Sequence, residues 1–165
     1  MKLFVSEFAE NRQEIERELK SKTWPIIKHL AKCLIMKDSN TYNHWKKEIV
    51  NFIDHIDKLK GKNKLPNKTQ IFDWTYGKVC DCMNNYYLTN FFHELEDDYS
   101  ITIYTDYETL TSVLNKLCYN YFAFLADNLS TYGYLDKRKA NELIDDYVHD
   151  SDIDVEEKVN ENKNK

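Results

Sequence analysis

The sequence predicts an all-α fold: a single-domain bundle of about five to six helices with a short extended connector near residues 99–104. Three observations lead there. Only 3 glycines and 2 prolines occur in 165 residues, so long uninterrupted elements are favoured and a turn-rich all-β fold is not. Apolar residues recur at helical spacing in at least four segments. At 42% hydrophobic and 14% aromatic residues, the chain can fill one core of ordinary size and not two comfortable ones. The bundle is expected to span residues 1–149, and the acidic segment 150–165, which loses periodicity, to be a disordered tail.

Residues 7–20 suit a polar outer helix whose apolar contacts are Phe8, Ile15 and Leu19. The segment "TWPIIKHLAKCLIMK" suits a separate central helix. Thr23 can cap it, Pro25 is tolerated in a first turn, and Ile26, Ile27, Leu30, Cys33 and Leu34 cover most of its circumference. After "DSNT", Trp45, Ile49, Phe52, Ile53, Ile56 and Leu59 fall within an arc of roughly 120° at 100° per residue. Gly61 then stands where a left-handed cap is expected.

From Thr69 to about Leu88, Ile71, Trp74, Val79, Cys82, Met83 and Tyr86 form another apolar face, and the phase is lost near Thr89. "NFFHELEDDY" suits a short separate helix. "YSITIY" alternates like a strand but has no evident partner, hence the connector. In "TDYETL", Thr105 and Glu108 have capping-box spacing ahead of Leu110, Val113, Leu114, Leu117, Tyr121 and Leu125. Asp136 is placed to open a last helix with Ala140, Leu143, Ile144, Tyr147 and Val148 on its inner side.

Charge is unevenly distributed around a net −5. Residues 58–68 hold five lysines and no acid, whereas residues 141–161 hold nine acids and one lysine. The first stretch could grip phosphates through Lys58, Lys60, Lys62, Lys64 and Lys68. It lacks arginine for bidentate base reading and aromatics for stacking, and lysines at the end of a helix also suit its dipole. Four cysteines without framework spacing suit reduced core thiols, and no apolar run has the length of a membrane span, so a cytoplasmic protein with no membrane partner is expected.

Catalytic motifs are sparse. Cys80 and Cys82, two apart on a helix, point about 200° from each other and cannot grip one metal ion. His44 with Glu48 supplies half a metal site, and His29 with Cys33 or Asp146 with His149 does not complete the doubled Glu-x-x-His pattern of a carboxylate di-metal bundle. No Gly-rich phosphate loop or nucleophile elbow is present. Neither a metal nor another cofactor is expected, and catalytic residues are assigned to none.

Twelve tyrosines exceed what this core requires, and Tyr87, Tyr119, Tyr132 and Tyr134 fall away from the apolar stripes or flank Gly133. Exposed tyrosine covers much area at small entropic cost, which suits a protein interface. The resulting expectation is a non-enzymatic protein-binding module, such as a small phage or mobile-element inhibitor or adaptor of a host nucleic-acid enzyme. The alternatives are a sequence-nonspecific nucleic-acid binder using the lysine-rich stretch and a metal-dependent enzyme in a helical bundle.

Overall fold

Six helices and a two-stranded antiparallel sheet make up the computed structural model, which describes residues 2–60, 67–84, 86–130 and 136–158. The helices are α1 (Lys2–Ile35), α2 (Tyr42–Lys60), α3 (Lys68–Met83), α4 (Tyr87–Asp98), α5 (Tyr107–Ser130) and α6 (Lys137–His149), and the strands are β1 (Ile101–Ile103) and β2 (Val155–Glu157). An all-α bundle is the architecture, with the small sheet at its side. Among the described residues no helix is long and apolar enough to cross a membrane.

Helix α1 is the spine, packing against α2, α3, α5 and α6. It runs through Pro25 without a break, so the two helices expected on either side of "TWP" are one. The reason lies in phase. Ile15, Leu19, Ile26, Leu30 and Cys33 fall within roughly 60° of one another at 100° per residue, and all five are buried. Packing of one continuous stripe outweighs the lost backbone bond at proline. Thr23 is therefore no cap; it is buried in mid-helix, its hydroxyl donating to the Leu19 carbonyl at 2.7 Å.

Trp45, Ile49 and Ile53 of α2 are buried against α1 as their stripe predicts, while Gly61 and the side chains of Phe8, Ile56 and Leu59 lie outside the described residues. Asn67 caps α3, accepting from the Gln70 amide at 3.0 Å. Helix α3 ends at Met83, earlier than Leu88, because Leu88 is far out of phase with Ile71 and Cys82. It turns inward instead with Phe91, Phe92 and Leu95 as the buried side of α4. The N-cap of α5 is Asp106, whose carboxylate accepts from the Thr109 amide and hydroxyl, each at 2.8 Å. Thr105, one residue early, accepts from the Asp154 amide. Asp136 caps α6 as expected, accepting from the Lys139 amide at 3.2 Å.

The extended connector is strand β1, and its partner comes from the segment assigned to the acidic tail. Ile101 pairs with Glu157, Thr102 with Glu156 and Ile103 with Val155. Ser100, at φ 51°, swings the chain from α4 into β1, and its carbonyl accepts from the Lys158 amide at 2.7 Å. Residues 155–157, expected in the disordered tail, are thus strand β2, while residues 159–165 lie outside the described part.

Candidate partner-binding face

Helices α3 and α5 lie antiparallel, since Lys68 meets Asp127 at 3.3 Å while Tyr76 meets Asn115 at 2.9 Å. Their inner residues, Ile71, Thr75, Val79 and Cys82 on one and Leu114, Leu117, Cys118 and Tyr121 on the other, are buried. The residue following Ile71 and the one following Thr75 consequently stand at the edge of the seam. These are Phe72 and Tyr76, four apart and stacked at 5.2 Å between ring centroids with 15° between planes. Tyr119 of α5 meets both edge-on, at 5.4 Å and 5.2 Å. Edge-to-face and offset pairs of this kind are favoured by the ring quadrupoles.

The trio is anchored from below. The Tyr76 hydroxyl donates to Asn115 Oδ1, and burial first, then the nearby Cys80, pushes its pKa above the usual phenol value, so it stays a neutral donor. Tyr119 is 50% exposed. Beside it Phe72, Ala123 and Ala126 line a hollow of about 240 Å³ bordered by Lys68 and Asp127. Two helices hold three rings in fixed relation around a recess, with one charge of each sign at its end.

Only part of the tyrosine set predicted from sequence meets here. Tyr119 belongs to the trio. Tyr87 is 61% exposed at the start of α4 and makes no ring contact with it, and Tyr132 and Tyr134 lie outside the described residues. Phe72 and Tyr76 were not assigned from sequence; their i, i+4 aromatic spacing immediately after two inward positions was the available signal. Lys62 and Lys64 and the side chains of Lys58 and Lys60 also lie outside the described residues, while Lys68 is ion-paired with Asp127.

The chain matches no family model, no curated protein and no solved structure. Its chemistry must be weighed from its own residues.

Other polar clusters have structural work. Tyr107 donates to Glu96 Oε1 and lies 3.1 Å from His93 Nδ1, while Glu96 Oε2 accepts the Ile103 amide, so the carboxylate ties β1 to α4. His44 lies 3.9 Å from Glu48. His29 Nδ1–H donates to the Pro25 carbonyl at 2.7 Å, and burial lowers its pKa. Burial pushes the Cys33 thiol up to about 12, which leaves it protonated and inert. Cys80 is half-buried and Cys82 buried on α3. Among the described residues no three His, Cys, Asp or Glu side chains are placed to hold a metal ion.

Proposed function

We propose that the chain is a protein-binding module without catalytic chemistry of its own, and that its partner docks on the Phe72–Tyr76–Tyr119 face. The observation that carries this reading is the locked aromatic trio: a half-exposed ring set held by two packed helices beside a recess. Rigid aromatic anchors lose little entropy on binding, and such anchors dominate interface energetics. The occupant fitting the recess is a folded protein presenting one protruding apolar side chain, which would enter between Phe72, Tyr119 and Ala126 while polar neighbours meet Lys68 and Asp127. Inhibition of, or adaptation to, a nucleic-acid enzyme is the partner class proposed from composition.

Direct nucleic-acid binding through Lys58, Lys60, Lys62, Lys64 and Lys68 receives less support, because Lys68 is already engaged by Asp127 and the molecule carries a net −5. A photo-reactive benzoylphenylalanine in place of Tyr119, irradiated in extracts of the source cell, identifies the partner by mass spectrometry. The purified partner should then bind the wild-type chain and lose roughly 30-fold or more in affinity to Tyr119→Lys, about 2 kcal/mol, with the variant still folded by circular dichroism at the assay temperature. Equal affinity for the two chains would reject the aromatic face as the docking site.

A further inference from the structure

A second concave surface lies on the other flank of α5. Val113 of α5, Leu143 and Tyr147 of α6, and Ile153 of the segment leading to β2 are half-buried and form the floor of a groove of about 740 Å³. The groove exists because α6 is short and leaves the first half of α5 beside a chain segment instead of another helix. Its rim is one-sided. Asp146, Asp150 and Asp152 stand exposed along the α6 side, whereas the α5 side offers Lys116 with neutral Thr109 and Asn120. Among the described residues none of these three aspartates has an ion-pair partner, although neighbouring Asp145 is bound by Lys46 and Glu142 by Arg138.

We infer that this α5–α6 groove receives a basic amphipathic helical segment of a partner protein. An apolar floor selects for apolar side chains, and the uncompensated aspartate edge selects for lysine or arginine on one flank of them. Asp146 and Asp150 are one helical turn apart, roughly 6 Å, so cations spaced i, i+4 on the incoming helix meet them in register. The exposed Asp154, Glu156 and Glu157 that follow add to a field that draws a cationic segment and repels a polyanion. The single cation across the groove, Lys116, disfavours a ligand basic on both flanks and so sets its orientation. This surface is separate from the aromatic trio, and the inference stands without the reading of that trio.

The test uses the full chain and a fluorescein-labelled 18-residue amphipathic helical peptide with leucine on its apolar face, lysine on one flank and glutamine on the other, titrated by anisotropy at 150 mM salt. Two control peptides are the same composition scrambled and a Leu/Glu version of the same pattern. Saturable one-to-one binding tighter than about 50 μM is expected, at least tenfold weaker for the scrambled peptide and absent for Leu/Glu. The triple variant Asp146→Asn, Asp150→Asn, Asp152→Asn, altered only at exposed positions, should lose at least tenfold. Amide chemical-shift changes should fall on α5 and α6 around Val113 and Leu143. Equal binding of the scrambled peptide would reduce the site to bulk charge and overturn the inference. Indifference of the triple variant would do the same, as would shift changes confined to Phe72 and Tyr119. A micromolar homodimer dissociated by Val113→Asp would overturn it by showing a second copy as the occupant.

Discussion

Asp145 is the residue on which the α2–α6 contact turns. Its Oδ1 accepts from Tyr42 at 2.7 Å and from Lys46 at 2.8 Å, and the Lys46 ammonium also sits 4.8 Å from the centre of the Tyr42 ring. Burial pushes the carboxyl up, but the Lys46 and Tyr42 hydrogen bonds together outweigh it and hold Asp145 below its ordinary value. A depressed carboxylate contributes stability that is complete above the unfolded value near about 3.9 and is lost as pH falls through the folded one. Asp145→Asn should therefore cost about 1–2 kcal/mol at pH 7, the lower part of the range for charged hydrogen bonds because the site is partly open to solvent. In urea titrations the gap to wild type should hold from pH 7 to 5 and narrow below about pH 4. A gap constant down to pH 3 would show that the charge is not what matters. At this scale the sequence was informative where periodicity alone decides exposure, as at Tyr119. It was silent on the Tyr42–Lys46–Asp145 triangle, since partners a hundred residues apart leave no local pattern. Thr105 and Asp106 show a finer limit: both can cap, and the Thr105 hydroxyl is taken instead by the Asp154 amide, which only the folded chain brings near.

Among the elements, α1 shows a local rule and a tertiary pattern in conflict. Proline in a helix interior removes one backbone bond and crowds the carbonyl four residues earlier, here that of Ser21, at roughly 3 kcal/mol. The buried stripe from Ile15 to Cys33 keeps its phase across Pro25, and that continuity was present in the sequence. Weighing the breaker above the phase split one helix into two. Pro25→Ala should return an amide to the Ser21 carbonyl and relieve the crowding. Greater freedom of the unfolded chain and some lost ring packing offset part of the gain, leaving about 1–2 kcal/mol of stabilisation by urea denaturation. A destabilised variant would mean that the proline sets a bend on which α2 and α3 depend. The α3–α4 boundary is a different case: on a continued helix Tyr86 stays in phase with Ile71 and Cys82, so periodicity runs on past Met83, and only Leu88, about 100° from Ile71, marks the break.

For the molecule as a whole, the sheet couples the two ends of the second half of the chain. Strand β1 was legible as an alternating segment without a partner, and β2 was hidden because "DIDVEEK" carries too few apolar residues to announce a strand. Its acidity suits an edge position, where charge discourages pairing with other chains. The return of residues 150–158 is secured at several points. Lys37 donates to the Ser151 carbonyl at 3.2 Å, Asp154 to Thr105 at 2.8 Å, and Tyr104 and Lys158 donate their amides across the strand pair. Ile153 and Val155 are half-buried against the core, and β2 covers one edge of a strand whose Ile101 and Ile103 are buried. Ending the chain after His149 removes all of this and opens the wall of the α5–α6 groove that Ile153 provides. Half-burial of two branched side chains contributes roughly 2 kcal/mol, and the strand and side-chain hydrogen bonds oppose the entropy of ordering the segment. For a chain of this length, the truncated protein should melt about 5–10 °C lower by circular dichroism. Ending it after Lys158 instead keeps β2, Ile153 and Val155 and so separates their contribution from that of residues 159–165. Coincident melting curves for the His149 truncation and the full chain would mean that β2 contributes nothing net to stability in solution, and that the acidic segment beyond α6 behaves as the unstructured tail its composition suggested.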